Sequence, residues 1–115
     1  MSADRQATLA QIQQLFGQNQ FEQAEQICRQ ALEAQRDDPD FLHALGCVLE
    51  RRGQLTSARH QVERAIAMSP QNPTYYNTQG VILGRLGKID EAMEALSKSI
   101  QLQASLAPAH CVRRR

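Results

Sequence analysis

Apolar residues fall at helical spacing in blocks, and the blocks recur. Between Phe41 and Arg52, the residues Leu42, Leu45 and Leu49 sit at i, i+3 and i+7, one face of a helix. Gly53 follows as a C-terminal stop. From about Gln54 to Met68, a second stripe holds Leu55, Ala58, Val62, Ala65 and Ile66. The run Ser69-Pro70-Gln71-Asn72-Pro73 ends that helix, because prolines and the residues before them disfavour it. Pro73 suits the first turn of the next helix. That helix carries Tyr76, Gly80 and Leu83 and stops at Gly87. Its partner carries Ile89, Ala92, Leu96 and Ile100, with Asp90 and Glu91 in a first turn whose dipole favours negative charge. Upstream, the pattern predicts helices from about Asp4 to Gly17 or Gln18 and from about Gln20 to Gln35. The second of these carries Phe21, Ala24, Ile27, Cys28, Ala31 and Leu32.

The blocks share a period of 34 residues without insertion. Ala24, Ala58 and Ala92 form one column, and Leu15, Leu49 and Leu83 another. Phe21, Leu55 and Ile89 follow, then Leu32, Ile66 and Ile100; Gly46 recurs as Gly80, Gly53 as Gly87 and Pro39 as Pro73. A period of this size marks stacked helix pairs, each too small to bury its apolar face alone. Gly46 and Ala58 are small where the paired helices must approach closely. The first unit departs most: Ile12 stands where later units have glycine, and Arg36 where the second has Pro70. Divergence is expected at the end of a solenoid.

These columns resemble the tetratricopeptide repeat, whose pattern is W-x2-L-G-x2-Y, then A-x3-F, then P. The second unit reads Leu42-x2-Leu45-Gly46-x2-Leu49, Ala58-x3-Val62 and Pro70; the third reads Tyr76-x2-Gln79-Gly80-x2-Leu83 and Ala92-x3-Leu96, with Ala104 in place of proline. The units run over about 5–38, 39–72 and 73–106. Ser105 to His110 look like the opening of a fourth, so 107–115 is expected to form a partial, capping helix. The resemblance implies an all-α fold: a right-handed α-α superhelix (solenoid) of three antiparallel helix pairs plus a short C-terminal helix. It also implies a protein-protein interaction scaffold that binds a peptide or protein segment in a concave groove lined by the first helix of each pair. The lining positions are Leu9, Gln13 and Phe16, then Asp40, His43, Cys47, Glu50 and Arg51, then Thr74, Asn77, Val81 and Arg85. His43, Cys47, Glu50, Arg51, Asn77, Val81 and Arg85 form the expected peptide-binding set. Arg51 and Arg85, one period apart, are expected to project side by side toward a carboxylate, or else to be solvated or to pair with Glu50 or a neighbouring helix. The chaperone-tail clamp known in this family needs Lys, Asn, Asn, Lys and Arg. The matching Leu9, Gln13, Ala44, Thr74 and Thr78 supply none of them.

Composition narrows the function classes. The 115 residues suit one domain. Thirteen basic residues face twelve acidic ones, and without Arg113, Arg114 and Arg115 the balance turns acidic. Five aromatic residues and no Trp make a poor stacking surface, so no nucleic-acid partner is expected. No apolar run is long enough for a membrane span, and the terminal arginines read as a solvated end. Cys28, Cys47 and Cys111 cannot all pair within one chain, which points to reduced thiols and a cytoplasmic protein. His43 and Cys47 share a helix face at i, i+4, but a zinc site needs further ligands. His60 faces elsewhere, and His110 and Cys111 diverge. No nucleophile system or phosphate loop is legible, and Glu91 and Glu94 read as a solvated face. The expectation is a chain that is no enzyme and holds no metal or cofactor. The alternative is an N-terminal docking or regulatory segment of a larger enzyme, glycosyltransferase- or sulfotransferase-like. Self-association through the uncapped C-terminal end is a further expectation.

Overall fold

The computed structural model describes residues 2–106. Six helices follow in order: α1 (Ser2–Gly17), α2 (Phe21–Ala34), α3 (Pro39–Arg51), α4 (Leu55–Met68), α5 (Pro73–Arg85) and α6 (Ile89–Leu106). There is no strand among the described residues. The punctuation follows the chemistry of the columns. Pro39 and Pro73 open α3 and α5. The residue before each caps the helix: the Asp38 carboxylate accepts from the Asp40 and Phe41 amides, and the Asn72 side chain accepts from the Thr74 amide. Gly53 and Gly87 sit at φ +83° and +84° in the left-handed region. Asn19, one period before Gly53, holds the same conformation at φ 62°, which asparagine tolerates better than most side chains. The capping helix expected over 107–115, with His110, Cys111 and the terminal arginines, lies outside the described residues.

Each even-numbered helix packs back on the odd one before it and leans on the odd one after it. The odd helices also touch in succession, α1 to α3 to α5, so they form the inner, concave row of a helical-repeat superhelix. Helix α3 is buried on both flanks: Phe41, Leu42, Leu45, Val48 and Leu49 are all at most 2% exposed. Its Leu45 and Leu49 belong to one cluster with Ile12, Cys28, Ala58, Val62 and Ile82, which runs through all three hairpins. Leu42 instead packs with Ala65 and Tyr75.

The α3–α4 spacing is set at Gly46. A Cβ built there would collide with Val62 Cγ2 and stand 3.3 Å from the Ala58 carbonyl oxygen. At Gly80 the added carbon would lie 2.7 Å from two side-chain atoms of Leu96. Where α1 has Ile12 instead, α1 and α2 approach less closely than the later pairs.

The two glycines therefore differ in how much they tolerate. Val62 is β-branched, fully buried and has few rotamers to turn to, whereas Leu96 is only half-buried and can swing. Gly46→Ala is expected to destabilise by ~1–2 kcal/mol, because overpacking outweighs the ~1 kcal/mol helix-propensity gain. Gly80→Ala should cost less. Urea melts of the two variants measure the order, and a Gly80→Ala protein weaker than Gly46→Ala would contradict it.

Candidate functional site

The concave row has two gaps between neighbouring helices, and they are closed differently. Three polar contacts bridge α3 to α5. The Tyr75 hydroxyl donates to Asp40 Oδ1 at 2.6 Å, His43 Nε2 and Thr78 Oγ1 are 2.8 Å apart, and Arg85 donates to the Glu50 carbonyl at 2.8 Å and to its carboxylate. The His43 ring also lies on the Tyr75 ring, with centroids 4.8 Å apart. These contacts recur along the helices and fasten the second gap from end to end.

The first gap, between α1 and α3, is fastened at one end. There Arg5 grips Asp38 with two N–H groups, at 2.6 and 3.0 Å, and reaches Asp40 as well. Beyond it lies a hollow of about 400 Å³. Leu9, Ile12, Gln13 and Phe16 of α1 form one wall, and Asp40, His43, Ala44 and Cys47 of α3 form the other. At the far end the Arg51 guanidinium stands 5.1 Å from the Phe16 ring centre and 5.4 Å from that of Phe21. The two rings are themselves packed edge to face, 5.3 Å apart. Arg51 has no hydrogen bond or ion pair to any described residue.

Asp40, His43 and Cys47 line the hollow, with Leu9, Gln13 and Phe16 opposite. Asn77 is exposed on α5, and Val81 leaves 46% of its surface open. Arg51 and Arg85 do not form the matched pair that their shared column suggests. Arg85 is committed to Glu50, while Arg51 stacks on phenyl rings. The cause lies 35 residues back, where Arg85 meets Glu50 but Arg51 meets Phe16. Arg5 and Tyr75 escape a reading of columns alone, while Ala44 and Thr78 enter it only as clamp positions that lack the clamp side chains. The signal for three of them is a complementary group about one repeat away: Arg5 before Asp38 and Asp40, Tyr75 after Asp40, and Thr78 after His43.

Burial sets the protonation states. It pushes the Cys47 thiol up to about 11 and the Cys28 thiol up to about 12, so both stay protonated and unreactive at neutral pH. Cys47 Sγ lies 3.5 Å from His43 Nε2. His60 is exposed on α4, and among the described residues no group of three or more His, Cys, Asp or Glu side chains can hold a metal ion. The Arg5 guanidinium draws the Asp38 carboxyl below its usual range. Burial lowers the His43 pKa, and the Asp40 charge only partly opposes that.

A histidine whose folded pKa is depressed binds protons more readily when unfolded. Stability therefore falls as pH drops through the unfolded value, near 6.5, toward the folded one. The groups facing His43 are the Tyr75 ring, the Cys47 thiol, the Thr78 hydroxyl and the Asp40 carboxylate. Asp38 adds a second decline below about pH 4, the unfolded carboxylate value, as its stabilising charge is lost. Denaturant melts between pH 7.5 and 5 should show the first decline, and His43→Gln should flatten it. Equal slopes in both proteins would exclude His43 as the cause.

Comparison with known proteins agrees with this architecture. Tetratricopeptide-repeat family models match residues 15–82 and 73–106. A Thermobaculum terrenum O-GlcNAc transferase mutant superposes with a TM-score of 0.86 at 22% identity, over 91% of this chain and 20% of that one. The chain thus spans a fifth of that transferase. SycD, a type III secretion translocator chaperone of Yersinia enterocolitica, gives 0.84 at 18% identity, over 97% of this chain and 77% of its own. MamA of Desulfovibrio magneticus gives 0.81 at 19%, over 90% and 58%. A search of curated proteins finds no match. With one family model spanning more than half of the residues and a second matching the last unit, the chain belongs to the tetratricopeptide repeat family.

Proposed function

We propose that this chain is a scaffold that holds a peptide or protein segment along the concave row of α1, α3 and α5. His43, Cys47, Glu50, Arg51, Asn77, Val81 and Arg85 are the residues facing the guest. The observation that carries the reading is the hollow between α1 and α3, with an apolar floor of Leu9, Ile12, Phe16 and Ala44 open to the groove. Such concavities suit a side chain of an extended segment. The function is binding rather than chemistry, and the protein is assigned to the cytoplasm, where free thiols such as Cys28 and Cys47 stay reduced. The alternative, a docking segment of a larger glycosyltransferase- or sulfotransferase-like enzyme, draws on the likeness to part of a transferase. It requires a coding sequence that continues into a catalytic domain.

Peptides selected on the protein from a random display library should shift the backbone amides of Gln13, Cys47, Asn77 and Val81 in 15N spectra. Shifts confined to α2, α4 and α6 would move the site off the concave row.

A second association follows from α6. Leu32 and Ile66 are partly covered by the hairpin after them, whereas Ile100, next in their column, is 66% exposed. Ile89 and Met93 extend the open stripe at 56% and 61%. At the inner junctions the Met93 column carries charge instead: Glu25 pairs with Arg52, and Arg59 with Glu91. A second copy offers the same apolar stripe and can meet it about a twofold axis. Sedimentation should show a dimer at high micromolar concentration that the double variant Met93→Lys, Ile100→Lys returns to monomer. A wild-type monomer throughout would remove this contact.

A further inference from the structure

The two arginines of one column differ in what answers them, and the difference describes a ligand. At the second gap Arg85 finds the Glu50 carboxylate. At the first gap the equivalent step back from Arg51 arrives at Phe16, whose side chain offers a ring face and no acceptor. The other charges beside the hollow are already answered: Asp40 by Arg5 and Tyr75, and Glu50 by Arg85. Arg51 is held in place by two phenyl rings, with its N–H edges unclaimed by any described residue. A guanidinium so placed keeps its planar fork for a carboxylate. Its neighbour one turn back, Cys47, belongs to the wall of the hollow, and so does Phe16 beneath it.

From this juxtaposition we infer that the first gap takes a partner segment carrying an aliphatic or methionine side chain with an aspartate or glutamate beside it. The apolar side chain fills the hollow against Leu9, Ile12, Phe16 and Ala44. The acidic side chain lies on Arg51 and completes the pair that Glu50 makes with Arg85 one repeat later. The inference rests on the scaffold reading and deepens it by naming the guest's chemistry. An acidic side chain, not a chain-terminal carboxylate, is specified, because the group it mirrors is the side chain of Glu50.

The test uses the same random heptapeptide display library, selected on the full chain. Enriched sequences should place an acidic residue within two positions of Leu, Ile or Met. A labelled peptide of that kind should bind Arg51→Gln roughly tenfold more weakly, the scale of one charge-assisted contact at a partly exposed site. Replacing its acidic residue by the amide should weaken wild-type binding equally and leave Arg51→Gln binding unchanged. Ala44→Leu, which fills the hollow, should lose the apolar preference. Circular dichroism melts establish that each variant is folded; Arg51 is exposed, so its loss leaves the core intact. Peptides that bind the concave row without acidic preference, or losses that simply add, would overturn the inference while sparing the scaffold. So would dependence on the peptide's terminal carboxylate. Failure to select any peptide for the concave row would remove both.

Discussion

A helix pair of this length cannot hide its own apolar surface, and that constraint organises the molecule. Helix α3 shows it most plainly: Leu45, Val48 and Leu49 are buried only because α1, α2, α4 and α5 meet around them. The neighbouring hairpins are in effect the second layer that a domain needs. Close approach is required at each crossing, and the small residues of the columns permit it. Gly46 lies against Val62 and Ala58, and Gly80 against Leu96 and Ala92. The same stacking lines up α1, α3 and α5, so the groove is a by-product of burying the core.

The helices and their order are legible in the residues because packing repeats with the chain. Leu42, Leu45 and Leu49 report a buried face, and Gly53 and Gly87 report left-handed stops. Asn19 does the same work less visibly, since its column shows glycine only in the later units. Side-chain pairing is less legible. It depends on two positions about one repeat apart, and a column displays them separately. Arg51 and Arg85 look equivalent until Phe16 and Glu50 are compared. Tyr75 and Arg5 join the site only through partners on another helix, and the column that holds Thr78 does not show that it meets His43.

Electrostatics here acts mainly between helices. Arg52 with Glu25, Arg59 with Glu91, and Arg64 with Asp37 cross from one hairpin to the next on the outer surface. Exposed pairs of this sort contribute little singly, about 0.2–1 kcal/mol, but they specify which face meets which neighbour. On the inner side, Asp38 combines two tasks. It caps α3 and receives both forks of Arg5, so the start of one helix is tied to the preceding hairpin. Its side chain is only 8% exposed, which makes that tie firmer than the surface pairs.

The two inner gaps consequently differ in how their polar bridges are distributed. Between α3 and α5, three bonds spaced along the helices act as bolts, and rotation of one helix against the other must break them together. Between α1 and α3, one anchor sits near Arg5 and the remainder is held by weaker ring contacts. The amino-terminal hairpin is therefore latched to the concave row at the start of α3, while the other two hairpins are stapled along the length of their facing helices.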